Sequence, residues 1–265
     1  MSADLAFLLT LAFRMAVAAA FVVSASIVTE RAGPVIGALV ATLPISAGPA
    51  YVFLALDHDA AFIAQGALAS LPVNAGTVCL ALTYVLLAQR HGVLVSCLSA
   101  IIVWLLLAAI IRTVHWSLGG GLIVNAVVFA ACVPLMQRFC HVKMPLITRR
   151  WYDIPLRASM VATLVAIVVT LSGWVGPTIS GILALFPVVF TSLMLILHLR
   201  IGGPATAAVI ANGAWGLMGF GLAIAVLHVT ALRFGSAAGL SLALATSVGW
   251  NLALWWNGRR RAAVK

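Results

Sequence analysis

The chain has 265 residues, of which 64% are hydrophobic and 8% are charged, and its formal net charge is +10. A soluble domain of this size cannot cover so much apolar side chain, so the composition predicts a polytopic helical membrane protein. The apolar runs are continuous, which excludes a transmembrane barrel. Most basic residues lie at the ends of these runs and in one loop, as is typical of membrane topology, so we expect no nucleic-acid partner.

Apolar runs bounded by charges, Gly or Pro predict nine spans, most of them near the roughly 20 residues that cross a bilayer. The third and eighth are long, and Pro72 predicts a kink in the third. The first carries Asp4 and Arg14 and lacks a basic leader, so we interpret it as a helix and not as a signal peptide. The nine spans are about 5–28, 33–56, 60–89, 92–112, 118–136, 155–172, 176–199, 203–232 and 236–257.

The second of these spans opens with a segment that occurs twice. The stretch from Gly33 to Pro44 recurs 143 positions later as the stretch from Gly176 to Pro187. In both copies Gly-Pro opens an apolar run, and a second Pro follows ten residues after the first. Pro is tolerated in the first turn of a helix, but further along it removes a backbone hydrogen bond. Each copy therefore predicts a helix with a clean start and a break midway.

The similarity extends beyond this segment and predicts the domain organisation. Residues 12–92 and 155–235 share 15 identities at the same offset, and seven of these are Gly, Pro or Arg. This pattern indicates an internal duplication of a four-helix unit. Because equivalent helices are five spans apart, an odd number, the repeats should be inverted. We predict an all-α protein of about nine transmembrane helices: a first repeat (5–112), a linking helix with a basic cytoplasmic loop (113–153), a second repeat (154–257) and a basic tail (258–265).

The basic residues bear on the topology. With the 137–153 loop and the C-terminus in the cytoplasm, eleven basic residues lie inside and only Arg112 and Arg233 outside. If the span at 118–136 does not cross, the repeats become parallel and the count is ten against three, so charge leaves both topologies open. The nineteen residues from Leu118 to Met136 carry no charge, which favours crossing.

Paired proline breaks predict where a ligand binds. Broken helices at matching positions of inverted repeats are typical of transporter sites, because the breaks free backbone groups near the membrane midplane. Pro44 and Pro187 are these breaks, and we expect Ser46, Thr191 and Ser192 after them to line a cavity. The alternative interpretation is a packing kink at each proline.

Four further polar residues are candidates for the site. Arg14 and Arg157 occupy matching positions, and a guanidinium matches the carboxylate or phosphate of an anionic substrate or lipid headgroup. We favour the alternative that both arginines extend to the membrane interface. Asn74 and Asn212 lie in the third and eighth spans, where they either contact substrate or form interhelical hydrogen bonds.

Signatures of enzymes and metal sites are missing from the sequence. It contains no HExxH, no GxSxG and no P-loop, and its four cysteines show no CxxC spacing. We therefore expect no catalytic residue, no metal and no cofactor.

The run from Gly181 to Pro187, followed by His198 and then Gly202 and Gly203, resembles small GlpM-type bacterial inner-membrane proteins. The first repeat departs from this pattern, since Ala55 stands opposite His198. The resemblance implies a multi-pass protein of the bacterial inner membrane and little about its chemistry.

Together these observations predict an inner-membrane transporter, a permease or exporter, with a cytoplasmic C-terminus. Its expected partners are membrane lipid and a small solute or amphiphile, with an anionic or lipid-linked substrate as a sub-hypothesis. The alternative is a non-catalytic scaffold or accessory subunit whose basic loop at 137–153 docks a partner. A membrane enzyme ranks third, and the sequence leaves the oligomeric state open.

Overall fold

The computed structural model describes residues 3–31, 44–140, 142 and 150–263. Within these ranges the chain forms helices joined by short connections, with no strand. In chain order the helices are α1 (Ala3–Arg31), α2 (Ala47–Asp57), α3 (Ala60–Leu87), α4 (Val93–Ile111), α5 (Leu118–Gln137), α6 (Asp153–Ala184), α7 (Val188–Ile201), α8 (Gly203–Phe234) and α9 (Ser236–Ala263).

Seven of the described helices are long and apolar enough to cross a membrane, which indicates a multi-pass membrane protein. The other two, α2 and α7, are shorter. The 14 residues of α7 extend about 21 Å at 1.5 Å per residue, less than the roughly 30 Å of a hydrocarbon core. The prediction of about nine membrane-crossing helices is therefore not confirmed for the described part of the chain, and α7 is short because it begins only after Pro187.

The second proline-containing segment divides differently from the two predicted spans 155–172 and 176–199. Helix α6 continues through residues 173–175 to Gly176, whose backbone angles of φ 75° and ψ 179° are accessible almost only to glycine. The helix kinks there and resumes at Pro177, where a missing N–H costs nothing. It ends at Ala184, and α7 begins one residue after Pro187. The start and the midway break predicted for this copy are both present.

The first proline-containing segment is described only in part. Residues 33–43 of the predicted span lie outside the described residues. Pro44 is non-helical, and α2 begins three residues later at Ala47. A helix therefore begins shortly after Pro44, and the part of the prediction that concerns the segment before Pro44 lies outside the described residues.

Helix α3 is the centre of the structure. It packs against α4, α5, α6 and α8, so most of its side chains are buried. It continues as a helix through Pro72. The linking helix α5 contacts both α3 and α8, whereas α1 packs on α6 and α9 packs on α8. Helix α2 packs mainly on α6, and α7 packs mainly on α8.

Helices α3 and α8 run antiparallel along most of their length. Near the start of α3, the Ala64 carbonyl accepts a hydrogen bond from His228 Nδ1 at 2.8 Å, close to the end of α8. In the middle, Asn74 Nδ2 donates to the Leu217 carbonyl at 3.0 Å. Beyond the last turn of α3, the Ala88 carbonyl lies so close to Gly203 that a Cβ there would overlap it. The two helices are therefore in contact from end to end, with Asn74 and Leu217 near the midpoint.

Candidate functional site

A cavity of about 340 Å³ lies between Pro44, Pro187 and the middle of the α3–α8 pair. Its size falls in the range of small-molecule sites in proteins. Its walls come from both halves of the chain: the turn before α2, the turn before α7, one face of α3 and one face of α8. Five of the nine predicted site residues line it, namely Pro44, Ser46, Asn74, Pro187 and Asn212.

Asn74 is the central polar group of this cavity. Its side chain is 1% exposed, and its amide nitrogen donates to Asn125 Oδ1 at 2.9 Å and to the Leu217 carbonyl at 3.0 Å. Asn125 in turn donates to the Leu71 and Gly121 carbonyls at 2.6 and 2.9 Å. Because both partners of Asn74 Nδ2 are acceptors, its orientation is fixed by the hydrogen bonds.

The fixed orientation leaves one atom of Asn74 unsatisfied. Its Oδ1 is buried and accepts no hydrogen bond. A buried acceptor without a partner costs about 1–3 kcal/mol, so native structures retain few of them without a reason. Asn74 lines the cavity, but this oxygen is itself buried, so a hydrogen-bond donor bound there reaches it only after a neighbouring wall side chain moves aside.

The other polar groups of the cavity have partners or are accessible. Thr77 Oγ1 donates to the Val73 carbonyl at 3.2 Å and accepts from Trp104 Nε1 at 3.2 Å. Asn212 is exposed, and its amide nitrogen donates to the Ala208 carbonyl of its own helix at 2.8 Å. These groups make one side of the cavity polar without adding a charge.

A second cavity of about 410 Å³ adjoins the first and is an apolar groove. The two share Pro44, Ala47 and Phe220 as lining residues. The groove continues between α1, α2, α8 and α9, where most of its lining side chains are apolar. Several of them are also exposed on the outer surface, including Phe21 and Leu244 at 48% and 49%. The groove therefore reaches the part of the surface that faces lipid if these helices span a membrane.

Thr191 and Ser192 do not line either cavity, unlike the other predicted residues near the breaks. Both are buried in the first turns of α7. Thr191 Oγ1 donates to the Pro187 carbonyl at 2.9 Å, and Ser192 Oγ donates to the Val189 carbonyl at 2.8 Å. The start of α7 turns Val189, Phe190 and Leu193 towards the cavity, so Thr191 and Ser192 satisfy backbone groups near the break.

The predicted arginines are also located away from the cavity. Arg14 forms a two-pronged ion pair with Asp57 at the end of α2, with nitrogen–oxygen distances of 2.5 and 2.6 Å. Its guanidinium also lies 5.7 Å from the centre of the Phe53 ring. Arg157 interacts electrostatically with Asp153. Neither arginine is among the described residues of the two cavities.

A second ion pair joins Asp153, at the start of α6, to Arg200, near the end of α7. Arg200 also lies over the Tyr152 ring, and hydrogen bonding to Arg200 lowers the pKa of that phenol. Asp57 and Arg200 are 143 residues apart, so the matching positions carry opposite charges. Asp57 pairs with Arg14 of α1, and Arg200 pairs with Asp153 of α6. The sequence contained both pairs, but residue identities alone do not show which helix ends meet.

Three contributors to the site were missed in the sequence. Asn125 accepts a hydrogen bond from Asn74 across the α3–α5 interface and so positions it. Thr77 and Phe220 line the cavity and stand at matching positions 143 residues apart. Comparing residues 12–92 with 155–235 places Thr77 opposite Phe220, but a Thr opposite a Phe does not indicate that both line one cavity.

Metal and cofactor ligands do not cluster in the part of the chain that the structure describes. No group of three or more His, Cys, Asp or Glu there is arranged to hold a metal ion.

Comparison with protein-family models, with characterised proteins and with solved structures found no match. The resemblance to GlpM-type proteins therefore stays a prediction.

Proposed function

We propose that this protein is a non-catalytic carrier of a small solute or amphiphile in the bacterial inner membrane. The observation that carries the proposal is the cavity lined by Pro44 and Pro187, with the unsatisfied Asn74 oxygen in its wall. A ligand site at the interface of two interrupted helices is the arrangement that secondary transporters use. The polar groups are few and the remaining wall is apolar, as in most small-molecule sites.

The proposal includes two repeats of opposite orientation. Helices α3 and α8 begin 143 residues apart, and so do α4 and α9. The hydrogen bond between Asn74 and Leu217 joins matching positions, as expected where two repeats meet on a shared two-fold axis. Since the matching helices α3 and α8 pack antiparallel, such an axis would lie in the membrane plane, which is the relation expected of inverted repeats.

Alternating access would follow from rocking one repeat against the other around the cavity. The ion pairs support this division of the molecule. Arg14 and Asp57 fasten α1 to the end of α2, while Asp153 and Arg200 fasten α6 to the end of α7. In inverted repeats the two pairs would lie towards opposite membrane faces, each holding one broken segment to its own repeat. The C-terminus would be cytoplasmic, as the positive-inside rule favours.

The proposal is tested by water access to the cavity. In a variant whose four native cysteines are replaced, a single Ser46→Cys or Asn212→Cys substitution should make the protein reactive to a small membrane-impermeant thiol reagent. The reaction should occur from either side of the membrane, because a carrier exposes its site alternately. Ser192→Cys serves as the control, since Ser192 is buried and outside the cavity.

The scaffold alternative predicts a different result. A membrane scaffold needs no route for water, so the thiols introduced at positions 46 and 212 would be protected from both sides like the control at position 192. Protection from both sides, or reaction from one side only under every condition, would contradict the carrier proposal. Reaction from both sides with protection at position 192 would contradict the scaffold.

A further inference from the structure

We infer that the ligand is an uncharged amphiphile, with a hydrogen-bond-donating headgroup at Asn74 Oδ1 and an apolar chain in the adjoining groove. The inference rests on the proposed function and narrows the substrate class of the same site. It departs from the anionic substrate that Arg14 and Arg157 suggested.

The headgroup must supply a donor. Asn74 Nδ2 is used twice, by Asn125 Oδ1 and the Leu217 carbonyl, so only Oδ1 remains, and an oxygen of an amide accepts but does not donate. A hydroxyl, an amide N–H or a neutral amine fits this requirement. A phosphate or carboxylate would place negative oxygen against the Asn74 oxygen, with no gain in hydrogen bonding.

The headgroup must also be uncharged. None of the described residues that line the cavity or the groove carries a charge. Residues 32–43, which precede Pro44 in the chain, contain no charged side chain either. The guanidinium of Arg14 is paired with Asp57 outside both cavities. An ion in this site would lose its hydration without gaining a counterion, which is strongly unfavourable inside a membrane protein.

The apolar groove provides the second half of the argument. The groove and the polar cavity share Pro44, Ala47 and Phe220 as lining residues, so they lie side by side, and a molecule that passes these three residues occupies both. Its far end lies beside Phe21 of α1 and Leu244 of α9, both exposed on the outer surface. A chain of a membrane-dissolved molecule can therefore enter sideways from the lipid, while its headgroup reaches Asn74. A purely polar solute would leave about 410 Å³ of apolar groove without a function.

The test uses the full-length protein in nanodiscs of phosphatidylcholine and a long-chain alcohol carrying a photoreactive diazirine on its chain. We expect light-induced labelling of peptides from α1 and α9 that border the groove, including those with Phe21 and Leu244. Dodecanol should compete with this labelling, whereas glycerol and dodecyl phosphate at equal concentration should not. Equal competition by dodecyl phosphate would overturn the uncharged headgroup, and equal competition by glycerol would overturn the role of the chain.

Two matched pairs of variants locate the site. Ala243→Phe places a ring in the groove and should reduce labelling at least tenfold, while Ala245→Phe, on an exposed position of the same helix outside the groove, should not. Asn74→Leu should weaken competition by dodecanol about fivefold, the value of one hydrogen bond. Asn251→Leu, which removes another buried asparagine with an unsatisfied oxygen but no cavity contact, should leave competition unchanged.

The outcomes separate this inference from the carrier proposal. Unchanged labelling in both variants that introduce a ring would show partitioning into bulk lipid, and loss of labelling in both would show that the effect is not specific to the groove. Either result would overturn the inference. If Asn74→Leu does not fold, comparing labelling in Ala243→Phe and Ala245→Phe still tests whether the chain binds in the groove. If the Ser46→Cys and Asn212→Cys variants react with the thiol reagent but the diazirine alcohol shows no specific labelling, the carrier proposal is supported and the amphiphile inference is contradicted. Specific labelling with both of those positions protected would support the binding site and reject transport.

Discussion

A close backbone contact between α6 and α3 makes a sharp prediction about stability. The half-helix between Pro177 and Ala184 crosses α3 with its backbone against Gly66, and a Cβ built on Gly181 would overlap the Gly66 carbonyl. Ser70 Oγ donates to the Gly181 carbonyl at 2.8 Å in the same place. Small residues allow this approach, which membrane helices use to gain packing and polar contacts.

Gly181→Ala should therefore destabilise the protein. The added methyl group meets backbone, which cannot rotate away, so the half-helix and α3 must separate. Overpacking of this kind costs about 1–3 kcal/mol. Separation also weakens the Ser70 hydrogen bond, worth about 1 kcal/mol. We expect a total loss of about 2–4 kcal/mol in the free energy of unfolding, measured by thermal or denaturant unfolding of the purified protein in lipid nanodiscs.

Substitutions at two other glycines give losses of stability against which the loss at Gly181 can be compared. Gly66→Ala should cost less, because its Cβ would lie 3.2 Å from the Pro177 carbonyl and needs only a small shift. Gly173→Ala, on α6 with no atom within 4 Å of the added Cβ, should be neutral or stabilising by about 0.5–1 kcal/mol. Wild-type stability for Gly181→Ala, or equal losses at positions 181 and 173, would refute the argument from backbone contact.

Three further predictions concern other parts of the structure. Gly235→Ala should lower the free energy of unfolding by about 1–3 kcal/mol, because Gly235 has φ 84° and ψ 165°. Gly92→Ala, at the matching position with φ −68°, should be tolerated, and the unfolding midpoints of the two variants test this difference. Arg14→Asp should lower the free energy of unfolding, and adding Asp57→Arg should recover about 1 kcal/mol of the loss. The value is modest because both side chains are partly exposed. No recovery in a double-mutant cycle would contradict the ion pair. Asn125→Leu should lower the unfolding free energy by about 1–2 kcal/mol through loss of its three hydrogen bonds, and an unchanged midpoint would argue against the network.

Proline and glycine predicted most of what positions the site. These residues restrict the backbone wherever they occur, so Gly176, Pro177 and Pro187 indicated a kink and a break without any tertiary information. Asn74 and Asn212 were identifiable because polar side chains are uncommon in apolar runs. The all-helical class followed from composition, and the ends of α3, α4 and α5 lie within two residues of those predicted.

What failed depended on rotation and on contacts between distant helices. The break at Pro187 predicted polar residues in the cavity, but α7 restarts at Val188, and that start turns Thr191 and Ser192 away. A difference of one residue rotates a helix by about 100°, which no composition argument resolves. The partner of Arg14 lies 43 positions away, so its pairing with Asp57 depends on where α2 ends relative to α1. An unpaired arginine in the sequence therefore suggested a ligand where the structure has a carboxylate.

The relative orientation of the two halves is measured most directly at matching positions after α3 and at the end of α8. His91 and Phe234 stand 143 residues apart, are both exposed and take part in neither ion pair. The single variants His91→Cys and Phe234→Cys, made in the protein without native cysteines, are treated with a membrane-impermeant thiol reagent in intact cells and in inside-out vesicles. Inverted repeats predict that the thiol at position 234 reacts in cells and the thiol at position 91 only in vesicles. Labelling of both from the same side would show that the halves point the same way and would contradict the account.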